Sequence, residues 1–237
     1  KEVLQTFFSF KGHHLISKMF FQMVQCSCRS VSQRVVWVGC LPKTAWPPTC
    51  LALPASAADF TDVPAGAWYE SAVDEAVEQG WMTGVSDTLF SPNATVTRST
   101  VAMVLWRMEG EPTPVWRGHF PDVQINSWYG IAADWACEAR IINGTDKGTF
   151  SDGVVTRQEL AVMLSRYDTY KGRTMAEGAL NLYSDANQVA SWAKEGMSHA
   201  IGMGWMEGDG GKLSPKSTTT RAQLAVILQR MNTQAMG

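Results

Sequence analysis

Beyond residue 58 the chain holds a single cysteine, Cys137, so no internal disulfide can staple that part. Long apolar runs are missing as well. No stretch approaches the ~18 consecutive apolar residues that a membrane-crossing helix needs. There is no surplus of positive charge either. The formal net charge of −2 argues against a nucleic-acid binder, which normally carries a basic face. HExxH, G-x-S-x-G, the phosphate-binding loop and a Cys/His nucleophile pattern are all absent. Those absences remove several enzyme classes but leave open a wall hydrolase that uses paired carboxylates. What is present is apolar substance: 45% of 237 residues are hydrophobic, enough for a sizeable core.

Charge and cysteine divide the chain in two. Residues 1–58 carry +5, the remainder −7, and Cys26, Cys28, Cys40 and Cys50 all lie in the first part. That part shows no sustained period, and "LPKTAWPPTC" contains three prolines. "LALPASA" before "ADF" has the small-x-small form of a signal cleavage site, with Arg34 upstream, but Pro42, Lys43, Pro47 and Pro48 break the apolar region. Three readings stand: a degraded or mistranslated signal region, a disordered tail, or a small separate element. Cys26-x-Cys28 with His13 and His14 fits no zinc spacing, so no metal and no cofactor are assigned.

From residue 60 the chain repeats itself, with a period of about 60 residues and three copies. "FTDVPAGAWYESAVDEAVEQGWMTG", "FPDVQINSWYGIAADWACEARIING" and "YSDANQVASWAKEGMSHAIGMGWMEG" align on Trp68, Trp128 and Trp192. Gly80, Arg140 and Gly204 follow twelve residues on, and Gly84, Gly144 and Gly208 sixteen on. Each unit closes on Thr-Arg and an apolar run: "TVTRSTVAMVLWRM", "VVTRQELAVMLSRY", "TTTRAQLAVILQRM". The units are set at residues 59–116, 117–180 and 181–237.

Every copy spells two helices joined by a polar loop. The first is expected to start near the Trp, with Ser127 and Ser191 as N-caps in the second and third copies. Its buried face is Trp68, Ala72, Val73, Ala76 and Val77 in the first copy, at helical offsets. The glycine sixteen residues on suits a turn with positive φ. The second helix follows the loop, with Val101, Val104, Leu105 and Met108 on one face. A single helix pair of this size cannot bury both its helices; three packed together can. The fold class is therefore mainly α, three helix-loop-helix repeats.

Aromatic-x-Asp-Val, Trp, the loop glycines, aromatic-x-Pro and Thr-Arg-x-x-Leu-Ala together resemble the S-layer homology domain, over residues 60–231. The pattern departs from that family in "TRST" of the first copy, in Arg140 of the second, and in "YSDA" of the third. The resemblance implies a pseudo-threefold helical bundle. It also implies an exported module on the surface of a bacterium, non-catalytic, holding its protein to secondary cell-wall polysaccharide. Neighbouring S-layer proteins are further candidate partners, and the implied glycan is acidic, often carrying a pyruvate ketal. A helical-repeat scaffold for protein partners is the alternative, although tetratricopeptide-type scaffolds repeat every ~34 residues and lack the Thr-Arg column.

The Thr-Arg pairs pose the sharpest question. Thr97, Thr156 and Thr220 suit N-caps, and Glu159 and Gln223 stand at capping-box spacing from the last two. Arg98, Arg157 and Arg221 then fall on the first helical residue, where the macrodipole opposes a cation by up to ~1 kcal/mol. Two explanations are open. The arginines and free first-turn amides bind a ligand anion, or each arginine pairs with Asp62, Asp122 or Asp185 of a neighbouring repeat. Arg107, Arg166 and Arg230 lie late in the helix and read as structural. Trp68, Trp128 and Trp192 read as core. Trp81 and Trp205 are weaker candidates for a sugar platform, as are Asp87, Asp146 and Asp209, with Gly84, Gly144 and Gly208, for sugar contacts. "DKGTFSDG" lacks the Glu that a calcium loop needs. His119 and His199 read as ordinary surface or packing residues.

Overall fold

The computed structural model describes residues 60–113 and 115–235. The readings made above for residues 1–58 lie outside the described residues. Among the described residues six α-helices carry the fold: α1 (Glu70–Glu78), α2 (Arg98–Met108), α3 (Gly130–Glu138), α4 (Arg157–Tyr170), α5 (Lys194–Gly202) and α6 (Arg221–Ala235). Short 3-10 turns at Leu180–Leu182, Ala186–Gln188 and Ser191–Ala193 lead into α5.

The helices pair between repeats rather than within them. α2 packs on α3, α4 on α5, and α6 returns to α1, so the chain closes a cycle. The turns before the second helices close a second cycle at the centre. Val96 N–H donates to Thr219 O (2.8 Å), Thr219 N–H to Val155 O (3.2 Å), and Val155 N–H to Val96 O (2.9 Å). All three residues are buried. Each repeat thus satisfies its neighbour's main chain, which is why a lone repeat has no complete core.

Within a repeat the aspartate of the opening motif folds the loop. Asp62 accepts from the amides of Phe90 and Ser91, Asp122 from Phe150 and Ser151, and Asp185 from Leu213 and Ser214, all within 2.7–2.8 Å. The serines adopt left-handed backbone, with φ of 58°, 49° and 50°. These bonds hold them there.

The first helices begin later than expected, at Glu70, Gly130 and Lys194, and lack side-chain N-caps. Ser127 instead bonds Gln124 O, and Ser191 opens a 3-10 turn. The Trp column therefore precedes the helix, and Trp68, Trp128 and Trp192 are 66%, 64% and 58% exposed rather than core. In the first two repeats Tyr69 and Tyr129 take the inward place, packed edge-on to the displaced indoles. The alanine column does sit deep, with Ala76, Ala136 and Ala200 at most 1% exposed.

The glycines sixteen residues after the Trp column have a different reason from the one expected. Only Gly144 has positive φ. A Cβ on Gly84 would stand 2.5 Å from Phe60, and one on Gly144 2.7 Å from Phe120; on Gly208 it would meet Tyr183. The opening aromatic of each repeat lies directly on the glycine, so these are close-approach positions.

The histidines are more than surface filler. His199 is fully buried; its Nδ1 accepts from Ala176 N–H (2.8 Å), which puts the ring proton on Nε2, facing Asp168 at 3.0 Å. Arg173 closes the same carboxylate at 3.0 Å and ties the linker back to α4, while Ala176 N–H and Gly178 N–H tie that linker to His199 and Ser198 of α5. Asp134 does the same for the linker before the second repeat, accepting from Arg117 N, His119 N and His119 Nδ1.

Candidate functional site

The N-caps form as the sequence predicts. Thr97 accepts from Thr100 N, and Thr156 with Glu159 makes a full capping box. The first-turn amides, however, are already used by the neighbouring repeat. Arg98 N donates to Gly153 O, Arg157 N to Ser217 O, Gln158 N to Pro215 O, Arg221 N to Ala94 O, and Ala222 N to Pro92 O. In α2, Ser99 N donates to the Asp152 carboxylate at 2.9 Å. No ring of free amides waits for an anion at these helix starts.

The guanidinium groups cross the same seams. Arg157 donates through Nε to Leu213 O (2.9 Å) and through Nη2 to Glu207 O (2.9 Å). Arg221 donates through Nε to Phe90 O (2.9 Å) and through Nη2 to Thr83 O (2.6 Å), with its cation 4.5 Å from the Phe90 ring centre. Arg98 donates to Phe150 O and Ser151 O (2.5 and 3.3 Å). None touches its aspartate directly. Asp62 and Arg221 instead grip opposite ends of one residue, the carboxylate taking Phe90 N–H and the cation Phe90 C=O; Leu213 links Asp185 to Arg157 in the same way. Burial pulls Arg157 and Arg221 below the usual guanidinium value, and the nearby Asp185 and Asp62 oppose that fall.

Two of these seams open as clefts of matching construction. The larger, about 640 Å³, lies over α6 and the third repeat's loop. Arg157 of the second repeat and Trp68 of the first border it. The smaller, about 190 Å³, lies over α4, bordered by Arg98 of the first repeat and Trp192 of the third. Each cleft thus draws on all three repeats. Trp128, in the same register, is equally exposed.

Among the expected sugar contacts, Gly208 and Asp209 line the larger cleft and Gly144 the smaller. Asp87 and Asp146 are exposed on their loops, and Gly84 lies half-buried under Phe60. Trp205 is fully buried, its Nε1–H bonded to Gln234 Oε1 at 2.8 Å, and Trp81 is 8% exposed. Trp205 is floor of the larger cleft rather than platform, and Trp81 is buried and lines neither cleft; the exposed indoles of the repeat register are Trp68, Trp128 and Trp192. Sequence reasoning also missed Glu207, Lys212 and Gln223 in the larger cleft. In the first two repeats the Trp-Tyr dipeptides held a signal, because two adjacent aromatics at a helix start cannot both turn inward; Trp192, followed by Ala193, carried none. Arg107, Arg166 and Arg230 reach back to Trp81 O, Ile141 O and Trp205 O and pin the end of each first helix.

The S-layer homology domain model matches residues 59–102, 119–161 and 182–225, more than half of the chain. The chain belongs to the S-layer homology domain family. Among its relatives, the S-layer protein sap of Bacillus anthracis is 27% identical over 74% of this chain and 21% of its own length. The surface-layer 125 kDa protein of Lysinibacillus sphaericus is 36% identical over 46% of this chain and 10% of its own. An amylopullulanase of Thermoanaerobacterium thermosulfurigenes is 26% identical over 68% of this chain and 9% of its own. The S-layer homology repeats here thus span about a tenth to a fifth of these relatives. They form an anchoring module of an exported bacterial cell-surface protein. Among the described residues no helix is long and apolar enough to cross a membrane.

Proposed function

We propose that the module binds an acidic secondary cell-wall polysaccharide, without catalysis, in the clefts between its repeats. It thereby fixes an exported protein to the wall, with each repeat extending as set out from the sequence: 59–116, 117–180 and 181–237. The observation that carries this is the pairing, in both clefts, of an exposed indole with an arginine from a different repeat. An indole face suits the apolar face of a sugar ring, and a guanidinium suits a carboxylate such as a pyruvate ketal. Arg157 spends Nε and one Nη2 bond on main-chain carbonyls, which leaves donors on its outer edge. Structural and binding roles therefore coexist in one side chain.

The test is binding to purified wall polysaccharide. Trp68→Ala removes an exposed ring and should leave the melting temperature unchanged. Affinity should fall roughly two- to tenfold, the ~0.5–1.5 kcal/mol of one aromatic contact. Full affinity in a triple variant at Trp68, Trp128 and Trp192 would overturn the proposal.

A further inference from the structure

The two clefts differ in charge as well as size. In the smaller one Glu159 lies 3.5 Å from Arg98 Nη2, so a carboxylate of the chain itself already faces that cation. The residue in the corresponding place of the larger cleft is Gln223, which carries no charge. The larger cleft also continues past Lys212, Ser214 and Ser217 into an adjoining hollow of about 460 Å³ that Lys216 and Gln188 help to line. Lys212 stands on a tight turn closed by two bonds with Asp209, 2.9 and 3.0 Å. In the repeat register its counterparts are Leu89 and Thr149, so this cation is peculiar to the third repeat.

Three carboxylates, Asp185, Glu207 and Asp209, lie nearby, and the Lys212 charge acts on Asp185. Asp185 spends its oxygens on the Leu213 and Ser214 amides, and Glu207 pairs with Arg230 at 3.0 Å. Asp209 is exposed on the turn. Neither Lys212 nor Lys216 forms an ion pair among the described residues.

We propose that the larger cleft and its adjoining hollow form one extended site for an oligosaccharide with two anionic groups. Arg157 meets the first group, and Lys212 with Lys216 meets the second. The inference rests on the glycan reading above and adds a second anion subsite to it. A sugar chain running along the groove places successive acidic substituents at separate points. The smaller cleft has Glu159 beside its arginine and no lysine among its lining residues, so it offers no matching lysine subsite.

Calorimetric titration of synthetic di-, tri- and tetrasaccharides tests this at physiological salt, where charges beyond ~8 Å are largely screened. Each length is made with two terminal carboxylates, with one, and with none. For at least one length the wild-type chain should bind the doubly charged form tenfold or more tighter than the singly charged form. In Lys212→Ala/Lys216→Ala that advantage should vanish. Lys147→Ala, a loop lysine of the second repeat, should leave the advantage intact. The proposal is overturned if no length shows the advantage, if the double lysine variant keeps it, or if Lys147→Ala removes it equally. Should no charged glycan bind the wild-type chain at all, the glycan reading fails along with the subsite. Binding of the singly charged form without any gain from the second charge sinks the subsite alone.

Discussion

Thr219 sits in the central ring where the other two repeats have Val96 and Val155. It is fully buried, and its hydroxyl has no hydrogen-bond partner. Its main chain serves the ring as the valines do, so the side chain alone sets it apart. Valine has nearly the same shape and no polar atom. An unsatisfied buried hydroxyl costs about 1–3 kcal/mol, and folding recovers none of it here. Thr219→Val should therefore stabilise the module by about 1–2 kcal/mol. For a unit of this size, each kcal/mol moves the melting temperature by about 2–4 °C, so a rise of about 2–8 °C is expected. Differential scanning calorimetry of the full chain reads it directly. A single transition should persist, because the ring bonds are main-chain and unaltered. A melting temperature that stays put or falls would refute the reasoning and show that the hydroxyl has a partner.

Arg221→Ala should cost about 2–3 kcal/mol in urea unfolding, because Phe90 O at least loses a charge-assisted bond of ~1.5–3 kcal/mol. Arg221→Lys should recover little of that, since an ammonium cannot reach both carbonyls from one plane; full recovery would show that charge alone matters. Arg140 holds φ of 57° where the other repeats have glycine. Arg140→Gly should thus raise stability by about 0.5–1 kcal/mol in the same assay, and a loss would count against the strain argument. Burial alone would raise the pKa values of Asp122, Asp134 and Asp185, but backbone N–H donors outweigh it and hold all three below the usual carboxylate value. Their contribution is complete above the unfolded value near ~4 and is lost as pH falls through the lower folded values. The melting temperature should be flat from about pH 7 to 5 and drop below about pH 4. A drop that begins well above pH 5 would refute the assignment to these three carboxylates.

Local chemistry was legible in the sequence, and partnership was not. The second helices were readable because an N-cap threonine, a capping carboxylate and helical spacing all act within a few residues; α2, α4 and α6 start at the three arginines. The same spacing shows that a face is buried without saying against what, so the α2–α3, α4–α5 and α6–α1 pairing was hidden. The loop glycines were legible as a column but not in cause, because a close approach by Phe60 or Tyr183 lies more than twenty residues away in sequence. The indoles were misplaced because a tryptophan one turn before an apolar stripe looks like its first member. Beside Trp68 the inward place is taken by Tyr69, and beside Trp192 by Ala193, a choice settled by packing and not by period.

The arginine at the helix start resolves into a question of whose carbonyls it meets. A cation at that position is disfavoured by its own helix by a few tenths of a kcal/mol, up to about 1. The neighbouring loop reverses the local field. Its carbonyls take the first-turn amides and also the guanidinium, and an aspartate on the far side of the same residue donates no proton but draws on its N–H. The peptide units on either side of Phe90 and Leu213 are held from both ends, amide by carboxylate and carbonyl by arginine, and such chains polarise one another. Three seams built this way close a ring that a lysine could not close with the same geometry. Only after that closure does a tryptophan from one repeat stand beside an arginine from another, so the stapling contact is also what assembles the cleft.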